Sequence, residues 1–355
     1  AIKERADYLI LEINERTIEK GYIEGIPFSI RALTNIVPKH NTLSYTEEEY
    51  VNIKKSFFKV DDEDDCTCIY TLTEKELLED LIRQNNKPYK VVSSEYVARV
   101  KGVEEAKIDY MLHQGTKEFD SLEGLNFNIK TKTKDVECHT NLIMPFNALN
   151  ITLAYAILDS LGEMEDSKFN QLLEEIKIPG RDEVIRYNGR TIIITITCTP
   201  HLEIIKRYKE KGKVKNIRLV TGSFGKGFNS WLEEYKEEKF TKYVEESMRW
   251  AYSYFVKNVD QIYITTNDNA YSNITELLGK QKKEVEGKTA YFLIEDRKEA
   301  IKKAIGDSER NDVIIISGRG NRSIFCKDRR NVEIYLDRSI VEEEIIKKKE
   351  EDNAN

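Results

Sequence analysis

Four short apolar runs punctuate the C-terminal half of the chain, at 191–197 (TIIITIT), 217–222 (IRLVTG), 262–268 (IYITTND) and 313–320 (VIIISGRG). Between them lie amphipathic helical patterns over 202–211, 231–257 and 297–305. Continuous β-branched runs of this length, separated by helices, predict parallel strands buried on both faces of a doubly wound sheet. Each run ends in small or polar residues, and in an open α/β sheet the ligand crevice lies off those carboxyl ends. The N-terminal half is more mixed. Residues 8–13 (YLILEI) read as a buried parallel strand interrupted by Glu12 near its C-terminal end, and 30–36 (IRALTNI) as a second strand, followed by Pro38 and His40. TEKELLEDLIRQ is an amphipathic helix, and GLNFNIKTKT is an alternating strand.

One helix carries more than packing information. Thr46 with Glu49 three residues on forms a capping-box pattern, which fixes the register of the segment TEEEYVNIKKSFF. In that register Tyr50, Ile53 and Phe57 mark the buried face, and Lys54 stacks one turn after Tyr50. Two readings of Lys54 stand: a stripe-edge lysine that snorkels to water, or a buried lysine whose neutral amine is reactive. Glu12 and His40 both fall at strand ends, so a carboxylate, an imidazole and this lysine can converge. Lys55 takes the role if the register slips by one.

Composition narrows the class without fixing it. A chain of 355 residues with 40% hydrophobic residues suffices for about two domains. A net charge of −7 argues against nucleic acid as the main partner. No apolar run approaches the length of about 20 residues that a membrane helix needs, and no signal-peptide pattern opens the sequence, so a cytoplasmic protein without membrane insertion is expected. Cys66-x-Cys68 lacks the partner pairs of a zinc site, and of the four histidines only His40 has a functional claim. The charge-dense stretch 342–355 reads as a tail whose end is frayed or disordered.

The segment ADYLILEINERTIEKGYIEGIPFSIRALTNIVPKHNTLSYTEEEYVNIKKSFF resembles the central domain of the Mur ligases, most closely the MurE type. The resemblance implies an active-site magnesium surrounded by Glu12, His40, which follows the Thr34-Asn35 pair, and a carbamylated Lys54. Carbamylation makes the amine an anionic oxygen donor, which suits a hard cation. MPFNALNITLAYAILDSLG resembles the family's adenine-facing helix, implying ATP contacts at Asn147 and Asn150; the stripe Ile151, Ala154, Tyr155 and Leu158 also reads as a core helix with an Asn cap, and the two are compatible. IPGRDEV resembles the Gly-Arg that introduces the C-terminal domain, with Arg181 an ATP contact. Asn35, Asp268, Asn269 and Gly318 are the implied substrate residues. The implied architecture is α/β with a partial Mur-ligase central domain over 1–178, a Rossmann-like C-terminal domain over 179–341 and a tail over 342–355.

The match weakens at specific places. Thr195-Ile196-Thr197-Cys198-Thr199-Pro200 stands where the family has Asp-Tyr-Ala-His-Thr-Pro, which removes the acid implied to hold the ribose. Asp268-Asn269-Ala270-Tyr271 stands for Asp-Asn-Pro-Arg, and loss of that arginine argues against a second carboxylate being read there. Gly318-Arg319-Gly320-Asn321-Arg322 stands for Gly-Lys-Gly-His-Glu, reversing the charge at its end. The family's phosphate loop and uridine-nucleotide domain have no counterpart in these residues; GSFGKG at 222–227 lacks the glycine spacing and the Ser or Thr of such a loop. Two functions follow. One is an ATP- and Mg2+-dependent amide ligase that joins a UDP-linked peptide or related carboxylate to an amino acid, with the phosphate loop on a longer polypeptide or a partner chain. The other is a noncatalytic Mur-like binding protein.

Overall fold

A computed structural model describes residues 6–37, 45–61, 63–114, 122–223, 237–269, 272–327 and 330–354. Contacts divide the chain into two compact units, one made of 1–119, 125–140 and 145–175, the other of 120–124, 141–144 and 176–355.

The first unit contains α1 (Glu15–Glu19), β1 (Ile30–Leu33), α2 (Glu47–Ser56), β2 (Thr67–Thr71), α3 (Lys75–Arg83), β3 (Tyr89–Ser94), α4 (Glu95–Val100), β4 (Tyr110–Gln114), β5 (Leu125–Lys130), β6 (Asp135–Thr140), α5 (Pro145–Ser160) and α6 (Asp166–Glu175). Its six strands run in sequence order across one sheet. β1 to β4 are parallel, and β5 and β6 turn back antiparallel. Burial alternates strictly along β5 and β6, the signature of strands with one wet face. Helix α5 packs across β2, β3 and β4. Tyr50 of α2 joins Leu33, Phe58, Tyr70 and Leu81 in one core. The predicted cap is present: Thr46 Oγ1 accepts from Glu49 N at 3.2 Å, and Glu49 Oε2 accepts from Thr46 N at 2.8 Å.

Residues 8–13 depart from their predicted form. They are irregular, with Leu9 68% and Ile10 93% exposed. A buried parallel strand needs hydrogen-bonding neighbours on its edges and layers on its faces. Among the described residues the sheet begins at β1, and no strand pairs with this run.

The second unit contains β7 (Glu183–Tyr187), β8 (Arg190–Thr195), α7 (Thr199–Glu210), β9 (Ile217–Thr221), α8 (Glu237–Asn258), β10 (Gln261–Ile264), α9 (Ile274–Val285), β11 (Ala290–Leu293), α10 (Arg297–Gly306), β12 (Val313–Ser317), β13 (Ile324–Cys326), β14 (Val332–Ile334) and α11 (Asp337–Ala354). The order is β11-β10-β9-β12-β8-β7, parallel except for β7 against β8. This is the α/β, doubly wound arrangement that the apolar runs predict. Alternate strand residues feed two cores. Ile193, Leu219, Ile262 and Ile315 pack with Leu202, Tyr252 and Leu278 on one face. Ile192, Ile194, Val220, Ile314 and Ile316 pack with Ala300, Ile301 and Val341 on the other. Each such isoleucine, fully buried, contributes about 1.5–3 kcal/mol relative to exposure, which is why these strands are apolar on both sides. Helix α11 enters the charge-dense stretch from 342 onward: Ile340 and Val341, just before it, and Ile345, within it, are buried against the second core, and α11 packs on α10.

Candidate active site

In the first unit the geometry gathers around α1 and α2. Asn14 caps α1, its Oδ1 accepting from Thr17 N at 2.9 Å. The cap positions Glu15 opposite α2, where its Oε2 lies 3.5 Å from Lys54 Nζ. The Lys54 side chain is 17% exposed and its ammonium sits 5.8 Å from the centre of the Tyr50 ring. Lys54 is thus recessed, and its carboxylate neighbour is Glu15; Glu12 is exposed in the irregular segment just upstream. His40 lies outside the described residues. Lys55 is committed elsewhere, paired with Asp80. Asn35 is exposed beyond the end of β1. On α5, which opens at Pro145, Asn147 is buried and Asn150 is exposed.

The donor chemistry around Lys54 bears on a bound cation. As an ammonium, Lys54 is complemented by Glu15. As a carbamate, it would put a second anionic group beside that carboxylate, an arrangement that a hard divalent cation neutralises. The residues therefore fit such an ion, although no cluster of three His, Cys, Asp or Glu side chains occurs among the described residues.

In the second unit, the carboxyl ends of β8, β9, β10 and β12 bring together a buried polar cluster. Backbones approach closely enough to demand glycine. A Cβ on Gly222 would lie 2.2 Å from Thr265 O, and one on Gly180 would lie 2.1 Å from Asn321 N. Gly318, with φ near +114°, faces Asn267, whose Nδ2 donates to Gly222 O at 3.3 Å. Asp268 and Asn269 are held against β13: Asp268 Oδ1 accepts from Cys326 N at 3.3 Å, and Asn269 N donates to Cys326 O at 3.0 Å. Burial raises the Asp268 carboxyl above its ordinary range, against the opposing pull of Arg319, the Cys326 N–H and Arg322. Asn269 is 0% exposed and neither end of its amide has a hydrogen-bond partner. Arg181, after Gly180, is exposed.

Sequence reasoning missed the ionic framework beneath these loops. Asp337, the first residue of α11, accepts from Arg297 Nε at 3.0 Å and Nη2 at 2.7 Å, and from Arg319 Nη1 at 3.3 Å. All three side chains are fully buried. Arg319 also stacks on Tyr335 and Phe325, 4.5 and 4.9 Å from the ring centres, and its Nη2 donates to Arg322 O at 2.9 Å. A second buried pair was also passed over. His201 Nε2 lies 2.7 Å from Asp182 Oδ1, which accepts from Thr195 Oγ1 at 3.1 Å. Asp182 takes a left-handed backbone conformation at φ +59°, uncommon for a residue other than glycine. The Cys-x-Cys pair is two buried free thiols; a hydrogen bond from Cys66 draws Cys68 down to about 7.

Residues 1–158 match the family described as the Mur ligase middle domain. Over that stretch the chain is similar to the Mur ligases. The 2,6-diaminopimelate ligase named UDP-N-acetylmuramoyl-L-alanyl-D-glutamate--2,6-diaminopimelate ligase from Fusobacterium nucleatum subsp. nucleatum is 22% identical over 356 residues, covering 100% of this chain and 67% of its own length. A solved structure with the same enzyme name superposes with a TM-score of 0.60 at 18% identity, over 98% of this chain and 66% of that one. The MurF ligase from Thermotoga maritima in complex with ADP gives 0.59 at 12% identity, over 95% and 66%. The chain therefore spans about two thirds of the length of these relatives, and the fold it shares with the solved structures is the α/β arrangement seen here.

Proposed function

We propose that this Mur-type chain carries most of an ATP-dependent amide ligase of the MurE type, which activates a carboxylate on a UDP-linked muramoyl peptide as an acyl phosphate and passes it to the amine of an amino acid. The observation that carries the reading is the pairing of a middle-domain match with a recessed Lys54 that faces a carboxylate. In this reading Lys54, as its carbamate, holds Mg2+ with Glu12 and His40, and Glu15 lies next to that set. The ion supplies charge neutralisation at the transferring phosphoryl group. Asn147, Asn150 and Arg181 contact the nucleotide, with Asn147 fixed by burial and Asn150 presented outward. Asn35, Asp268, Asn269 and Gly318 bind the substrates. Units 1–178 and 179–341 act as central and C-terminal domains. The exposed apolar run at 8–13 supports a covering segment that also brings the phosphate loop, on the same polypeptide or on a partner chain, and the absence of long apolar helices among the described residues fits a cytoplasmic setting.

The noncatalytic alternative has one specific observation in its favour. Thr195, where the family has an acid, is engaged with Asp182 and Thr197 O in a buried network. Asp182 returns a carboxylate to the end of β8, which favours the catalytic reading over the loss of a nucleotide contact. The test is ADP release by the native polypeptide supplied with ATP, Mg2+, a UDP-muramoyl peptide and a panel of amino acids. Amino-acid-dependent ADP release supports the ligase; nucleotide binding without turnover favours the binding protein.

A further inference from the structure

Helix α8 buries one side and carries an aromatic stripe on the other. Met248, Tyr252 and Phe255, at helical spacing, lie in the core beneath it, and the helix packs on α7 and α9. Those anchors fix its rotation, so that Tyr243, Trp250 and Lys257, each two turns after the last, face solvent. Trp250 is 61% exposed and Tyr243 40%. The indole lies nearly parallel to the Tyr254 ring, with centres 6.2 Å apart and planes 12° apart, and Tyr254 Oη donates to Glu203 Oε1 of α7 at 3.3 Å. An exposed tryptophan held in place by a stacked neighbour loses little side-chain freedom on burial, which is what an interface anchor requires.

The polar residues of the stripe are ordered about that anchor. Ser247 and Ser253, both small and exposed, flank Trp250 a turn away on either side. Glu246 lies on the N-terminal side, with a surface pair to Lys242 at 3.9 Å, and Lys257 lies exposed on the C-terminal side. With Trp250 as pivot, the stripe complements its own reverse: Ser247 falls opposite Ser253, Tyr243 opposite Lys257, and Glu246 opposite Tyr254.

We infer that the outer face of α8 takes a second copy of this chain, the two α8 helices running antiparallel across a two-fold axis at Trp250. The two indoles then meet between small serines, Lys257 of one copy covers the Tyr243 ring of the other, and Glu246 meets the Tyr254 hydroxyl with the other copy's Lys257 one turn away. Parallel pairing sets Glu246 on Glu246 and Lys257 on Lys257, and a uniformly acidic or basic partner satisfies one end of the stripe only, so charge selects the antiparallel second copy. One helix stripe makes a small interface, and association in the micromolar range is expected. The inference does not depend on the ligase reading, which uses no residue of α8.

The test is sedimentation velocity of the native polypeptide across the micromolar range. The protein should pass from monomer to dimer, and W250E should remain monomeric throughout. E246K sets a lysine near the other copy's Lys257 and should weaken the dimer at least about tenfold, and E246K/K257E should restore it, because the swapped charges again face each other across the axis. Residues 246 and 257 lie three turns apart on their own helix, so a loss of folding cannot produce that rescue. A native polypeptide that stays monomeric over the whole range overturns the inference and leaves the stripe to another segment or a different partner. A dimer undiminished in W250E, or an E246K defect that K257E does not repair, overturns it equally.

Discussion

Replacing Asp337 by alanine should destabilise the second unit selectively. The carboxylate accepts two hydrogen bonds from Arg297 and one from Arg319, at 3.0, 2.7 and 3.3 Å, with all three side chains fully buried. Breaking a buried ion pair from one side leaves uncompensated charge and costs about 3–5 kcal/mol. Arg297 keeps two backbone acceptors, Ser317 O at 3.0 Å and Thr266 O at 3.4 Å, and Arg319 keeps Arg322 O at 2.9 Å and its stacking on Tyr335. The lower end of the range therefore applies, about 3 kcal/mol, which is a large part of a typical domain's stability. Trp250 lies on α8 of the second unit. Amide hydrogen exchange of the second unit's strands across a urea titration follows that unit, and D337A should move its transition by about 3 kcal/mol while D337N, retaining one acceptor oxygen, loses less. A D337A shift below about 1 kcal/mol would refute the claim that this cluster holds the loops together.

Three further outcomes follow from the same geometry. D268N should gain stability over the parent near neutral pH, because the Asp268 pKa is raised in the folded state. The folded protein then binds more protons than the unfolded chain in the window above the ordinary carboxylate pKa, so the parent loses stability as pH rises through that window, and the gain of D268N should vanish when the pH is lowered below it; paired urea titrations at pH 4 and pH 7 measure the difference. T46A removes the acceptor for Glu49 N and half of the capping box, and should cost the first unit about 1 kcal/mol, read from amide hydrogen exchange of α2. K54A should reduce amide formation by the complete system by at least about 100-fold while leaving the melting temperature within a few degrees, since the substitution removes a single ion pair, at 3.5 Å, between partly exposed side chains.

How much the sequence discloses depends on whether a signal is local. The capping box of Thr46 and Glu49 is local, and α2 starts where that pair places it. The strands ending near Thr195, Thr221, Ile264 and Ser317 were legible because isoleucine and valine fill both faces, a pattern that only a sandwiched parallel strand tolerates. β11, with four residues, and the three-residue pair β13 and β14 were missed because such short segments take their form from neighbours. The run at 8–13 shows the converse: its apolar residues meet the local rule for a strand, but strand structure also needs a partner edge. Arg297, Arg319 and Asp337 are spread over 40 residues, and only the winding of β12 and α11 onto α10 joins them. His201 had no metal spacing to recommend it, and Asp182 reaches it through a left-handed turn that no residue type announces.

The most direct measurement is product formation by the native polypeptide from ATP, Mg2+, a UDP-muramoyl peptide and an amino acid, with K54A run in parallel and the amide product identified by mass. The account predicts one ADP released for each amide formed and loss of both in K54A. Amide formation that survives K54A undiminished, or a native polypeptide that neither binds nor hydrolyses ATP, would contradict it.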